Sequence, residues 1–327
     1  MAEVIVLNDQ QVESLVSFEE NLRMIEQAFG DYNLGKSHAF PVVREEIKRH
    51  QGIFGIKSGY LETQETLGFK AGGFWKNNNQ RGLTSHQSAM VLFNPETGQP
   101  CALVAANYVT KVRTAAIGAI GCKYLARPDS KVLTIIGCGQ QGRGQLEATL
   151  KMLPGIEEIY LYDAYIQAAE ALARDMAGLN RKIVVAATAE QACRPADVIV
   201  TTTPSYQAVV MADWIKPGTH INAVGTDTRG KQELDPRIFA KAAIVVDNIG
   251  QCLYLGECQH AYDAGIITKE SIRAEIGEII NGTKIGRKDA TEITVFDTTG
   301  VAIQDLATAG YALAEALKKG VGSRVML

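Results

Sequence analysis

The sequence predicts an α/β protein: a doubly wound parallel sheet accompanied by a second, α+β unit. Two observations carry this. From Ser130 onward, apolar runs alternate with helical segments: "VLTIIG", "EIYLYD", "KIVVAA", "DVIVTTTP", "HINAVG" and "AAIVVD". Continuous Val/Ile runs belong to strands buried on both faces, and their alternation with helices belongs to βαβ units. The first ~115 residues have a different texture, with shorter strands, an amphipathic helix and turn residues.

Taken in order, "MAEVIVLNDQQVESL" reads as a short strand followed by a helix. A helix is expected over Ser17 to Asn33, because Leu22, Ile25, Ala28 and Phe29 keep helical spacing. Short strands follow at Ile53 to Ser58, Leu67 to Gly72 and Ser88 to Phe93, and "NPETGQP" is a turn punctuated by Pro95 and Gly98. A helix from about Thr110 to Leu125 carries Ala115, Ala116, Gly118, Ala119 and Gly121, small residues that admit close packing. Six parallel strands follow, and Ala302 to Lys319 is an alanine-rich helix that returns to pack on the first unit. The expected division is 1–115 with the C-terminal helix, about 305–327, against 116–304.

The bulk properties narrow the function classes. A formal net charge of −3 gives no reason to expect nucleic acid or an anionic membrane as partner. No run of ~18 apolar residues and no basic-then-apolar leader is visible, so the expected location is cytoplasmic. Six cysteines, none in a C-x-x-C pair and most in apolar context, read as reduced and structural rather than metal-binding.

The most informative stretch is "KVLTIIGCGQQGRGQLEATL". A strand runs into Gly137-Cys138-Gly139-Gln140-Gln141-Gly142, and a helix follows. In that context Gly137 makes the tight turn, Gly139 lets a pyrophosphate approach the backbone and Gly142 lets helix and strand pack closely. The helix N-terminus offers unpaired N–H groups to the anion. Asp163, 26 residues after Gly137, ends the second strand and suits a ribose diol. It repels a 2′-phosphate, and Ala164, Tyr165 and Ile166 supply no arginine to receive one, so NAD is favoured over NADP. A glycine turn without a ligand is the alternative. Thr203 and Pro204, in "TTTP", stand at the expected switch point of the sheet, or form a plain turn. Val224 and Gly225, which end another strand, are expected with Asp227 to contact the cofactor.

The first unit concentrates cations in apolar strands: Arg44 after "FPVV", Lys57 in "FGIKSGY", Lys70 in "LGFKAGGFW", and Arg113 in "NYVTKVRTAAIG". Buried charges demand partners, and an anionic substrate carboxylate is one. Each cation alone is equally a snorkelling surface residue. His86 in "GLTSHQS" is a site candidate or a structural histidine. Asp227, just past a buried strand, either faces the nicotinamide and holds a substrate amine or imine, or caps a following helix.

These segments together resemble the ornithine cyclodeaminase/μ-crystallin family. The likeness spans nearly the whole chain, on "VRTAAIGAIGCKYLARPDS", "IIGCGQQG", "TTTPS", "GTHINAVGTDTRGKQELD" and "ITVFDTTGVAIQD". It implies a Rossmann NAD(P) domain joined to a substrate-binding and dimerisation domain, a homodimer, and hydride transfer at the α-carbon of a small amino or imino acid. By motif it implies Arg44, Lys70 and Arg113 as α-carboxylate cations, and Asp227, the catalytic aspartate, together with Lys70 as the catalytic residues. Thr114 and Gly137 to Gly142 then contact cofactor phosphates. Cyclodeaminases carry a glutamate where Lys57 stands, thirteen residues before Lys70. A lysine there disfavours cationic ornithine and suits alanine or a second carboxylate. "FPVVREEI", "FGIKSGY", "KAGGFWKNN" and "SHQS" are most similar to the iminosuccinate reductase branch. The resemblance therefore implies NADH-dependent reduction of iminosuccinate to aspartate, with Lys57 and His86 at the distal carboxylate. Alanine dehydrogenase is the second enzymatic reading and ornithine cyclodeaminase the third. A non-catalytic binding protein is a reading of a different class.

Overall fold

The computed structural model describes residues 3–327; the side chain of Asn79 lies outside that description. The chain divides into two compact units, Met1–Arg113 with Val301–Leu327, and Thr114–Gly300. The sequence had set the junctions at 115/116 and 304/305.

The first unit is built on one eight-stranded sheet. Its order is Ser323–Met326, Glu3–Leu7, Pro100–Ala105, His86–Phe93, Thr66–Trp75, Gly52–Leu61 and Ser37–Ala39, with Val43–Ile47 also paired to Gly52–Leu61. Only Glu3–Leu7 and Pro100–Ala105 run parallel. The three expected strands are present but longer, because antiparallel pairing from Gly52↔Trp75 to Leu61↔Thr66 carries them through their glycines. Four further strands, Ser37–Ala39, Val43–Ile47, Pro100–Ala105 and Ser323–Met326, had no strong alternation to announce them.

Two helices cover this sheet. Phe18–Asn33 starts at Ser17, whose Oγ accepts from the Glu20 amide at 3.2 Å. It buries Ile25, Ala28 and Phe29, and each large apolar side chain so removed from water contributes roughly 1.5–3 kcal/mol. Ala302–Lys319 lies against it, tied by the Thr308 hydroxyl donating to Asn21 Oδ1 at 2.6 Å. Leu306 and Gly310 of that helix meet Gly59 and Thr66 of the sheet, where only glycines leave room. The helix ends at Lys319 with Gly320 left-handed at φ +65. The helix has the expected bounds, Ala302 to Lys319; the 305–327 segment of the expected domain division is corrected in its last residues, where Gly320 and Gly322 turn the chain and Ser323–Met326 pairs antiparallel with Glu3–Leu7.

The second unit holds an eight-stranded sheet, parallel throughout. Its order is Lys182–Val185, Glu158–Tyr162, Val132–Ile136, Val198–Thr201, His220–Ala223, Thr294–Asp297, Ala243–Val246 and Ile272–Glu275. Leu133, Ile135, Val198 and Val200 pack on one face. Ile136, Ile199, Ile221 and Ile244 pack on the other. The six expected strands are all here. The two additional ones, Thr294–Asp297 and Ile272–Glu275, are four residues each. Helix Asn107–Leu125 begins before the expected Thr110, separated by one residue from the strand that ends at Ala105.

Candidate active site

The glycine loop sits at the switch point of the parallel sheet. Strand order reverses between Val132–Ile136 and Val198–Thr201, and both strands open onto the loop at their carboxyl ends. Gly137 adopts φ +95. A Cβ on Gly142 would stand 2.0 Å from the Gly137 carbonyl oxygen, so helix and strand meet only through glycine. Gly139 is the N-cap of helix Gln140–Met152 and meets nothing within 4 Å. With no cap side chain, the first amides of that helix are left for an anion.

The residues around the loop fit that use. The buried Thr114 hydroxyl and the Gln141 side-chain oxygen have no hydrogen-bond partner within the protein. The Thr114 carbonyl accepts from Gln145 Nε2 at 2.6 Å, which fixes its helix to the loop helix. Asp163 does more than the sequence indicated: it accepts from the Cys138 amide at 2.8 Å and the Tyr165 amide at 2.9 Å, bracing the loop. Burial, and then the nearby Asp163 charge, push the Cys138 thiol up to about 12, so it is a neutral packing group. Gln140 is exposed at the helix start.

"TTTP" is part of the same construction. Thr202 Oγ donates to the Gly137 carbonyl at 2.8 Å, so the two strand-end loops are joined. Glu233, missed in the sequence, ties this loop to the next. Its carboxylate accepts from Thr201 Oγ at 2.8 Å, from the Thr203 amide and from the Gly225 amide at 2.9 Å. A Cβ on Gly225 would stand 2.5 Å from the Thr203 carbonyl oxygen, so the close approach requires glycine. Pro204 is exposed beyond it, and the Val224 amide donates to the Thr201 carbonyl at 3.0 Å.

Asp227 follows two residues later. It accepts from Lys231 Nζ at 2.9 Å and from the Thr228 hydroxyl at 3.1 Å. The helix-cap alternative is overturned: residues 228–231 form a turn and Gln232–Leu234 is a strand. Asp235 is the residue that caps, accepting from the Arg237 amide at the short helix Pro236–Ile238.

In the first unit, strand register gathers the cations. Lys57 stands directly opposite Lys70, and Lys70 opposite Met90. One row along, Arg44 faces Gly55, Gly55 faces Gly72, and Gly72 faces Ser88. Directly opposed and alternate residues share a face, so Arg44, Lys57 and Lys70 lie together on the face that Ala302–Lys319 covers in part. Gly55 and Gly72 leave the middle of the Arg44 row bare. A Cβ on Gly72 would stand 2.2 Å from the Gln87 carbonyl oxygen, and Arg44 Cγ lies only 3.9 Å from where a Cβ on Gly55 would be. His86 shares the face but sits opposite Phe74, four residues or about 13 Å along its strand from Met90. The structure therefore does not make His86 a neighbour of Lys57.

Arg113 joins the set through a residue the sequence reading did not single out. Asp305, 1% exposed, accepts from Lys70 Nζ at 2.8 Å and pairs with Arg113 Nε at 3.1 Å. Lys70 also reaches Thr110 Oγ at 3.3 Å, and Arg113 Nη1 donates to Gln304 Oε1 at 2.8 Å. Burial alone pushes the Asp305 carboxyl up. The charges of Lys70 and Arg113, the Lys70 hydrogen bond and the charge of Lys57 outweigh it and hold the group below its usual range. Lys70 and Arg113 thus share one internal carboxylate, a partner that the sequence did not announce.

Among the described residues, no group of three or more His, Cys, Asp or Glu side chains could hold a metal ion. No helix among them is long and apolar enough to cross a membrane. All six cysteines are free.

A glycine loop at the switch point of a parallel sheet in one unit, with clustered cations in the other, defines a two-unit protein of the dinucleotide-binding class. The chain belongs to the ornithine cyclodeaminase/mu-crystallin family, which it matches over residues 2–320. It is 43% identical to the alanine dehydrogenase of Archaeoglobus fulgidus, over 99% of this chain and 98% of that one. An archaeal alanine dehydrogenase dimer solved with bound NAD superposes with a TM-score of 0.94 at 42% identity, covering 99% of both chains. The iminosuccinate reductase of Paracoccus denitrificans, solved with NAD+, gives 0.92 at 38% identity, covering 99% of this chain and 100% of that one.

Proposed function

We propose that this protein is an NAD(H)-dependent oxidoreductase of small amino and imino acids, and that it reduces iminosuccinate to aspartate as a homodimer. The observation that carries the substrate reading is the facing pair Lys57 and Lys70, beside Arg44 and Arg113. Like charges placed directly opposite destabilise a sheet, and a bound dicarboxylate offsets that cost.

The glycine loop, Thr114 and the amides at the start of helix Gln140–Met152 hold the pyrophosphate, and Asp163 receives the ribose. Reduced NAD, when bound, supplies a hydride to the imine carbon. Arg44, Lys70 and Arg113 hold the α-carboxylate, which fixes that carbon in place and lowers the barrier by orientation. Lys57 takes the distal carboxylate. Asp227 holds the proton on the imine nitrogen, keeping the adjacent carbon electrophilic. Its contact with Lys231 gives the carboxylate a partner to exchange for that nitrogen.

The test is NADH oxidation with iminosuccinate generated in place, with pyruvate, oxaloacetate or glyoxylate each mixed with ammonia, and ornithine with NAD beside them. Rapid turnover of iminosuccinate alone is expected. Preferred turnover of pyruvate with ammonia would make alanine dehydrogenase the function, a second reading favoured by the 43% identical relative. Proline formation from ornithine would remove Lys57 from the pocket. Asp227→Ala is expected to lower kcat by about 10²–10⁴-fold with NADH affinity unchanged. Equal losses in both would refute its role.

A further inference from the structure

We propose that Asp305 is a positioning residue of the substrate site: its Oδ1 holds Lys70 and Arg113 at fixed positions and keeps Lys70 protonated opposite Lys57. The proposal rests on the reading that these cations bind the substrate's carboxylates.

Two ammonium groups directly opposed across a strand pair each favour losing a proton. The groups facing Lys70 are Lys57 on Gly52–Leu61, Arg44 one row away on Val43–Ile47, and Thr110 and Arg113 on Asn107–Leu125. Met90 is its cross-strand partner, with His86 and Glu46 two rows beyond, and Asp305 comes from Ala302–Lys319. Asp305, 1% exposed, is in direct contact with Lys70, 8% exposed. Both its ion pairs converge on Oδ1, while Oδ2 is buried without a hydrogen-bond partner. Gln304, the residue before, holds the other end of the Arg113 guanidinium. One turn of helix thus sets the distance between two cations that arise on different elements. A carboxylate that neutralises one charge among the four cations Arg44, Lys57, Lys70 and Arg113 leaves the set attractive to an anion while removing the incentive for Lys70 to deprotonate.

Asp305→Asn retains an Oδ1 acceptor and deletes the charge. Two effects then oppose one another. An anion is attracted at least as strongly while every cation stays charged, but Lys70 loses its proton at lower pH. The diagnostic is therefore the pH profile of kcat/KM, measured with whichever imino acid the wild type turns over. In Asp305→Asn its alkaline limb is expected to move down by about one pH unit, so that kcat/KM at high pH falls about tenfold. NADH affinity should not change. An unmoved limb in a folded Asp305→Asn protein overturns the proposal. If that variant does not fold, Asp305→Glu carries the test: it keeps the charge but displaces it. KM should rise severalfold with the limb unmoved, and unchanged KM and kcat would overturn the proposal. Succinate binding followed by calorimetry from pH 7 to 10 gives the same comparison without turnover. A wild type that reduces pyruvate imine instead of iminosuccinate defeats the substrate reading while leaving the Asp305 test intact.

Discussion

Asp305 and Asp297 are both buried carboxylates, and their surroundings are opposite. Asp305 lies among Lys70, Arg113 and Lys57, and these charges hold it below its ordinary range despite burial. Asp297 ends a central strand of the parallel sheet, near the Asp247 charge, and among the described residues it pairs with no cation. Its Oδ2 accepts from the Cys258 amide at 2.9 Å, and its Oδ1 has no hydrogen-bond partner. Burial, with the Asp247 charge added, pushes it up to about 7. Glu257 is similar: burial and then the charge of Glu233 push it up to about 8. One region keeps its carboxylate ionised by surplus positive charge. The other keeps carboxylates at strand ends that backbone amides and hydroxyls hold in place. The first arrangement suits a site that must attract an anion. The second suits loops that must be stitched together without a net positive charge.

The sharpest way to break this contrast is to reverse a charge in the cationic set. Lys57→Glu is expected to lower kcat/KM for iminosuccinate by about 10²–10³-fold, leaving NADH affinity unchanged. Steady-state kinetics with direct NADH titration checks both, and an unaltered kcat/KM would take Lys57 out of the site. In the other region, Glu233→Gln removes the charge and turns one of the two acceptor oxygens that serve Thr201, Thr203 and Gly225 into an amide donor. Losing a hydrogen bond to a charged acceptor costs about 1.5–3 kcal/mol, so NADH should bind roughly tenfold or more weakly by fluorescence titration. Unchanged affinity would mean that Glu233 serves the fold alone.

The smallest effect is on stability. A carboxyl whose folded pKa is raised binds its proton more tightly when folded. Its contribution is complete below the unfolded value, 3.8 for Asp297 and 4.5 for Glu257, and is lost as pH rises through about 7 and 8. Asp305, held below 3.8, behaves in the opposite sense: its contribution is present above that value and lost as pH falls through its lowered pKa. Asp297→Asn should therefore flatten the fall in stability between pH 4 and 7 by up to roughly 1.4 kcal/mol per pH unit, a few degrees in Tm. Thermal unfolding across that range measures it, and an unchanged slope would deny Asp297 its raised pKa.

What could be read in the sequence follows sequence distance. The glycine loop was legible because strand, turn and helix are contiguous from Val132 to Met152, and each glycine has a local steric duty. The central strands were legible as unbroken Val/Ile runs. Lys57 and Lys70 were visible as anomalous charges in apolar strands, but their direct opposition depends on the register of a ten-residue pairing. Asp305 escaped because it meets Lys70 across 235 residues of chain. Glu233 escaped because "QELD" reads as an ordinary polar stretch until Thr203 and Gly225 are folded against it. The helix alternative for Asp227 failed for a local reason, since Gly230 takes φ +86 and turns the chain into a strand.

The long path from Lys70 to Asp305 also orders events during synthesis. Residues 114–300 are contiguous and can collapse as they emerge, whereas the first unit lacks its covering helix and its edge strand until residues 301–327 arrive. At ordinary translation speeds of ~5–20 residues per second, Lys70 waits about 10–50 s for its carboxylate. During that interval Ile25 and Phe29, already made, have no Ala302–Lys319 helix against which to pack. The nascent chain thus carries a complete 114–300 unit while the first unit is still unfinished, and the first unit is completed only when the final helix docks.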